Sequence, residues 1–253
     1  MNTTIEQAVS SPSAKLPDSI LSIDSIHVAR GEIDVLRDVT LDVKEGQLVA
    51  ILGANGAGKT TLLRALSGLL PAHAGSVRFN GQALLGKKPH HIARAGLVHV
   101  PEGRGILGEQ TVWENLKLGM AYHGWRGRTE ELERVYNWFP FLRTRGSAMA
   151  GMLSGGEQQM LAIARSLLCR PKMLMIDELS LGLAPKITRE LMSFLKTISR
   201  TGPTVLIVEQ NAHLALEFAD HIYVLSQGRV AVSGSATLLM QDSSVLDAYL
   251  GQA

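Results

Sequence analysis

The chain has 253 residues, a formal net charge of +2, 45% hydrophobic residues and 19% charged residues. This is the composition of an ordinary globular protein, and the length is enough to bury the core of one large or two small domains. The near balance of positive and negative charge gives no support for nucleic-acid binding.

The first 19 residues are polar and are predicted to form a disordered tail. They contain no basic segment followed by an apolar one, so no secretory signal is predicted. The longest apolar stretches of the chain are too short to span a bilayer. Cys169 is the single cysteine, which excludes an internal disulfide and fits a reducing compartment.

Two alternating segments, 21–28 and 35–43, predict half-buried antiparallel strands joined by a turn at Gly31 and Glu32. The segment 48–52 (LVAIL) is continuously apolar, which indicates a strand covered on both faces. The elements predicted after it are a helix over 59–70, a strand over 76–80, a mainly helical region over 104–150, a helix from 154 to about 169, a strand over 173–176, a helix over 186–200, a strand over 204–208, a helix over 212–219 and a strand over 222–226. This alternation implies a mostly parallel sheet wrapped by helices.

The segment GANGAGKTT matches the phosphate-loop pattern G-x-x-x-x-G-K-[ST] between a strand and a helix. Its glycines allow several backbone amides to surround one anion, and the helix N-terminus adds a partial positive charge. Lys59 is predicted to neutralise the β- and γ-phosphates, Thr60 to offer its hydroxyl to Mg²⁺, and Thr61 to reach the α-phosphate. The predicted nucleotide-binding residues of this loop are Gly53, Ala54, Asn55, Gly56, Ala57, Gly58, Lys59, Thr60 and Thr61.

The segment MLMIDE (173–178) places two carboxylates at the carboxyl end of an apolar strand, where α/β sheets bind their ligands. Asp177 is predicted to hold Mg²⁺, directly or through water. Glu178 is predicted to orient or deprotonate the attacking water. Up to this point a nucleotide hydrolase and a phosphoryl-transfer kinase are both consistent with the residues.

The segment LSGGEQQML (153–161) supplies a second anion site, because unpaired amides begin a helix after Ser-Gly-Gly. Ser154 and Glu157 also have the spacing of a capping box, as do Thr111 and Glu114.

Together with SLGLAP (180–185), these motifs resemble those of ATP-binding cassette (ABC) ATPases over residues 21–253. The resemblance implies an α/β P-loop NTPase with a RecA-like core of mostly parallel sheet, an antiparallel β subdomain and a helical subdomain at about 104–152 of a domain spanning 20–253. It also implies head-to-tail dimers, in which Ser154, Gly155 and Gly156 contact the γ-phosphate of ATP held by the other chain.

Other positions follow from the same resemblance. VPEGR (100–104) places Glu102 where most cassettes have glutamine, close to the Mg²⁺ or the water. VEQNA (208–212) places Gln210 at a position that is usually histidine, and Arg30 stands where an aromatic residue usually stacks on adenine. Leu179 stands where proline is common.

These departures, with a compact end at AYLG (248–251), resemble the shorter ATPase subunit of branched-chain amino-acid importers; urea and short-chain amide importers have close relatives. The resemblance implies a peripheral subunit on the cytoplasmic face of the inner membrane, with ATP and Mg²⁺ as ligands. Its implied partners are a second cassette (identical or different), membrane permeases, and indirectly a periplasmic solute-binding protein, with no nucleic acid. A soluble cassette of DNA repair or translation and a small-molecule kinase are the alternatives.

Three features are assigned structural roles. The pair His90 and His91 is predicted to lie in a solvated loop, because no third ligand sits at metal spacing. Cys169 is predicted to be a small core residue. Most aromatic residues of 104–150 are predicted to be core, and some are expected to face a membrane partner.

Overall fold

The computed structural model describes residues 19–121 and 129–241. Its strands are β1 (Ser19–Arg30), β2 (Ile33–Lys44), β3 (Leu48–Leu52), β4 (Ala74–Phe79), β5 (Gln82–Ala83), β6 (Leu97–Val100), β7 (Met173–Asp177), β8 (Thr204–Glu209), β9 (His221–Ser226) and β10 (Arg229–Ser235). Its helices are α1 (Lys59–Leu66), α2 (Pro89–Arg94), α3 (Val112–Ala121), α4 (Thr129–Trp138), α5 (Phe141–Thr144), α6 (Gly155–Leu167), α7 (Pro185–Thr201), α8 (Ala212–Phe218) and α9 (Ala236–Gln241), with a 3-10 turn over Ala150–Met152.

The strands form two sheets. One is antiparallel, in the order β2-β1-β4-β5. The other has the order β10-β9-β3-β8-β7-β6, in which all neighbours are parallel except the edge strand β10. This arrangement confirms the predicted α/β fold with a mostly parallel sheet and a separate antiparallel sheet.

Strand β3 is buried on both faces, as its continuous apolar sequence predicts. Leu48, Ala50 and Leu52 join the core that the parallel sheet forms with α3, α6, α7 and α8. Val49 and Ile51 join the second core, which lies between the two sheets and includes α1. Because β3, β7 and β8 are parallel neighbours, the segments that follow them emerge at one edge of the sheet.

The region between β6 and β7 is mainly helical, as predicted, and α3 packs against α6. The Thr111 N–H donates to Glu114 Oε2 at 2.8 Å, and the Glu114 N–H donates to Thr111 Oγ1 at 3.1 Å, which confirms the first capping box. Trp113 packs against the core, whereas Trp138 is 41% exposed and lies edge-on to Phe194. Tyr122 and Trp125, two of the aromatic residues in the segment 104–150, lie outside the described residues.

Helix α1 ends at Leu66, four residues before the predicted end at Leu70. The reason is a Schellman motif, in which Gly68 has a φ of +71°. The Gly68 N–H donates to Ala65 O at 3.0 Å, and the Leu69 N–H donates to Arg64 O at 2.9 Å. The helix was predicted to extend to Leu70 because the apolar pattern continues to that residue; the helix-ending role of Gly68 was not recognised.

Strand β1 begins at Ser19, one residue inside the predicted tail, and residues 1–18 and the AYLG segment lie outside the described residues. His90 and His91 lie on the short helix α2 and not in a loop, and the described residues contain no group of three or more His, Cys, Asp or Glu side chains placed to hold a metal ion. Cys169 packs partly buried against the core. Within 19–121 and 129–241, no helix is long and apolar enough to cross a bilayer.

Candidate functional site

The glycine-rich loop lies between the carboxyl end of β3 and the start of α1. Gly56 and Gly58 have φ values of +80° and +106°, which favour glycine. A Cβ added at Gly58 would lie 2.6 Å from Leu36 Cδ2, so a side chain would also clash there. The loop therefore takes its shape from glycine and leaves its amides available to an anion.

Lys59, the first residue of α1, turns its side chain back into this loop. Its Nζ donates to Gly53 O at 2.8 Å and to Ala54 O at 3.2 Å, and lies 3.9 Å from Glu178 Oε1. Burial lowers the pKa of Lys59, and the nearby carboxylate of Glu178 opposes that shift. The loop thus holds one buried amine, whose charge a phosphate group would stabilise.

Asp177 ends strand β7 directly below the loop. The Thr60 hydroxyl donates to Asp177 Oδ1 at 3.2 Å, while Asp177 Oδ2 is buried with no hydrogen-bond partner among the described residues. Burial raises the pKa of Asp177, and the Thr60 hydrogen bond opposes the shift. A hard divalent cation beside both oxygens would satisfy this orphaned carboxylate atom, so the residues present fit Mg²⁺.

Glu178 follows Asp177 with a left-handed backbone, at a φ of +49°. Its Oε1 accepts a hydrogen bond from Gln210 Nε2 at 2.7 Å, so the two residues at the ends of β7 and β8 are in contact. The structure therefore brings together Lys59, Glu178 and Gln210, which lie far apart in the sequence.

Glu209 is a buried carboxylate that the sequence did not single out. It accepts hydrogen bonds from the Ser180 N–H at 2.8 Å and the Ser180 hydroxyl at 2.7 Å. Burial raises the pKa of Glu209, and these hydrogen bonds oppose the shift. The contact fixes the turn after Glu178. In the sequence, the only sign that Glu209 belongs to the site was its position next to Gln210.

A cavity of about 380 Å³ opens over the loop. Besides loop residues 55–61, it is lined by Arg30, Val35, Glu102 and Glu178. Arg30 thus lies on the wall of the cavity over the loop. A neighbouring cavity of about 390 Å³ shares Thr60 and Glu102 with it and adds Asp177. A larger cavity of about 720 Å³ beside α4 contains none of the predicted site residues, so the chemistry points to the two cavities around the loop.

Ser154 caps helix α6. The Ser154 N–H donates to Glu157 Oε2 at 2.9 Å, and the Glu157 N–H donates to Ser154 Oγ at 3.4 Å, which confirms the second capping box. Arg145 holds the other oxygen of Glu157 at 2.7 Å. Among the described residues that line the cavity over the loop, none comes from 154–156. Within one chain, the structure does not bring the two anion sites together.

The fold and this site define a P-loop nucleotide-binding protein: a glycine loop with its lysine, a hydroxyl and two strand-end carboxylates at one edge of a parallel sheet. The family model described as "ABC transporter" matches residues 36–180. The high-affinity branched-chain amino acid transport ATP-binding protein BraG of Pseudomonas aeruginosa is 43% identical over 232 residues, which cover 92% of this chain and 100% of that protein. The probable branched-chain amino acid transport ATP-binding protein LivF of Archaeoglobus fulgidus is 36% identical, over 83% of this chain and 89% of that protein.

Solved structures of ABC transporter cassettes have the same fold as this chain. An ATP-binding cassette of an ABC transporter in its ADP conformation has a TM-score of 0.81 and 28% identity, over 92% of this chain and 99% of that one. A nucleotide-free cassette gives a TM-score of 0.80 at 28% identity, over 92% and 100%. The chain belongs to the ABC transporter family, and it is an ATP-binding, ATP-hydrolysing cassette.

Proposed function

We propose that this chain is the ATP-hydrolysing subunit of an ABC importer that takes up branched-chain or other hydrophobic amino acids. The observation that carries the proposal is its 43% identity to a branched-chain amino acid transport ATP-binding protein over the whole length of that protein. The arrangement of Lys59 and Glu178 at the cavity over the loop, with Asp177 at the neighbouring cavity, supports the ATPase part.

The phosphate loop binds the triphosphate. Lys59 exchanges its carbonyl partners for β- and γ-phosphate oxygens, whose negative charge stabilises the ammonium group that burial disfavours. The loop amides and Thr61 hold the remaining phosphates, and Arg30 stacks on the adenine from the rim of the cavity.

Thr60, Asp177 and Glu102 are the residues that would hold Mg²⁺, which when bound would neutralise charge that develops on the phosphates. The orphaned Asp177 Oδ2 supports this assignment most directly. Glu102 lines both cavities around Thr60 and adds a negative charge there.

Glu178 is the proposed general base. Its carboxylate takes the proton of the attacking water or orients that water toward the γ-phosphorus. The amide of Gln210 fixes the carboxylate through the 2.7 Å hydrogen bond. Because glutamine carries no ionisable group, it contributes a neutral hydrogen bond where a histidine would be able to carry charge.

Two cassettes share each ATP. Ser154, Gly155 and Gly156 lie away from the cavity of their own chain, which supports a role toward a nucleotide held by a partner cassette. A γ-phosphate gripped from both sides draws the chains together, and its release lets them separate. The partner is a second copy or a sister cassette.

The assembled importer contains permease subunits that span the membrane, with this chain on their cytoplasmic face and a periplasmic solute-binding protein delivering the solute. Relatives named for branched-chain amino acid transport support this assignment.

The ATPase part is tested with the Glu178→Gln variant. We expect hydrolysis to slow by roughly 10²–10⁴-fold, the range for removal of a general base, while binding of a fluorescent ATP analogue is retained. Lys59→Ala is the matched variant that loses binding as well. Unchanged turnover in Glu178→Gln would refute the assigned base, and transfer of phosphate to an added small molecule would favour a kinase.

The solute is tested in cells that lack the chromosomal copy of this gene. Uptake of radiolabelled leucine, isoleucine and valine should return with the wild-type chain and not with Lys59→Ala. Restoration of urea or short-chain amide uptake, with no effect on the amino acids, would assign the chain to that importer class instead.

A further inference from the structure

Arg104 closes the turn that carries Glu102, and its backbone is unusual. Gly103, Arg104 and Gly105 have successive φ values of +76°, +70° and +57°. The left-handed region is unfavourable for a residue with a long side chain, so surrounding contacts must hold Arg104 there.

Those contacts come from two directions. The Arg104 N–H donates to Pro101 O at 3.0 Å, which closes the turn. Arg165 of α6 donates from Nη2 to Gly105 O at 2.7 Å and to Arg104 O at 3.5 Å. Helix α6 therefore holds the backbone of the turn that carries Glu102, which lines the cavity over the phosphate loop.

The side chain of Arg104 returns the contact. Its Nη1 donates to Gln158 Oε1 at 2.7 Å, and Gln158 Nε2 donates to Leu153 O at 3.1 Å. Its Nη2 lies near two glycines: a Cβ added at Gly155 would be 3.1 Å from this atom, and one added at Gly182 would be 3.8 Å from it. The guanidinium thus contacts the first turn of α6 through Gln158 and lies close to Gly155.

We propose that Arg104 is a positioning residue that fixes the first turn of α6, with Ser154, Gly155 and Gly156, to the turn that carries Glu102. A shift of Glu102 on filling its own ATP cavity would move the groups offered to the partner's ATP, because the guanidinium is shared between the two turns. This inference rests on the proposed function and adds a residue that the phosphate loop and the carboxylates do not include.

The contact can be broken from either side. Arg104→Ala removes it from the turn, and Gln158→Ala removes it from the helix while leaving the left-handed turn intact. Arg94→Ala, at the exposed end of α2, is the matched arginine control. The measurements are kcat and KM for ATP, affinity for a fluorescent ATP analogue, and the melting temperature of each full-length variant.

We expect each single variant to lower kcat by about tenfold to 100-fold, the range of one lost hydrogen bond to a charged group. Nucleotide affinity should stay within about twofold, because Arg104 does not line the cavity over the loop. The double variant should be no slower than the slower single variant, since both changes break one contact. Arg94→Ala should match the wild type.

Wild-type kcat in either single variant, or effects that multiply in the double variant, would overturn the inference. If Arg104→Ala does not fold, the Gln158→Ala result decides, with Arg104→Lys expected to fall between it and the wild type. Hydrolysis that survives Lys59→Ala would instead refute the proposed ATP site itself, so the two failures are distinct.

Discussion

We expect the stability of the nucleotide-free chain to fall as the pH drops from 6.5 to about 4, because of the buried imidazole of His99 on strand β6. Burial lowers the pKa of His99 from 6.5 to about 4, and the charge of Arg64 adds to the shift. Its Nδ1 lies 3.1 Å from Ser67 Oγ, and the Ser67 hydroxyl donates to Leu63 O. Its Nε2 is buried with no hydrogen-bond partner among the described residues, so a proton placed there would be poorly solvated.

The direction in which stability changes with pH follows from proton linkage. The folded pKa lies below the unfolded one, so between pH 6.5 and about 4 the unfolded chain binds one more proton at this site. Each pH unit in that window removes about 1.4 kcal/mol of stability. The full contribution of His99 is a loss of about 3 kcal/mol as the pH falls from 6.5 to 4.

His99→Asn removes the titration and keeps an amide near the position of Nδ1. We expect the difference in unfolding free energy between the variant and the wild type to move in favour of the variant by about 3 kcal/mol from pH 7 to pH 4. Urea titrations at several pH values give both curves, and His213→Asn, at an exposed position of α8, is the control. Parallel curves for the wild type and His99→Asn would refute this reasoning.

Three further predictions concern Asp177, the phosphate loop and the cap of helix α6. Asp177→Asn should stabilise the nucleotide-free chain at pH 7, because a neutral amide removes the charge that burial disfavours at this position. The gain should shrink as the pH falls through the raised pKa of Asp177, because the wild-type carboxyl group is then neutral as well. Thermal unfolding at pH 7 and pH 4 checks both. Gly58→Ala should raise the dissociation constant for ATP sharply in a fluorescence titration, because the added Cβ meets Leu36 at 2.6 Å. Ser154→Ala should cost about 1 kcal/mol of stability for the lost helix cap, measured by urea unfolding, and leave ATP binding to the isolated chain unchanged.

The fold could be predicted from the sequence wherever a clear hydrophobic pattern ends at glycine or acidic residues that mark the end of the element. LVAIL followed by GANGAGKTT predicted β3 and the loop, and MLMIDE predicted β7 with its terminal carboxylates. Strand β10 was missed because its residues are half-exposed and show no continuous apolar run. The one sign of this strand in the sequence was the pair Gln227–Gly228 before it. In the structure both residues have a positive φ, as a type I′ hairpin turn requires.

The site was predictable in its motifs and not in its supporting contacts. The residues of the loop and the pair Asp177–Glu178 have fixed spacings in the chain. The contacts of Arg104 with Gln158 and of Glu209 with Ser180 join residues 54 and 29 positions apart. Such pairs depend on how helices and strand ends pack, which no local pattern encodes.

The most direct test of the central claim is a structure of the Glu178→Gln variant with MgATP. We predict two cassettes head to tail, with Ser154 Oγ of one chain about 3 Å from a γ-phosphate oxygen that the other chain's loop holds. An ATP molecule bound in the loop and open to solvent, with Ser154 of each chain turned away from it, would contradict the shared-nucleotide mechanism.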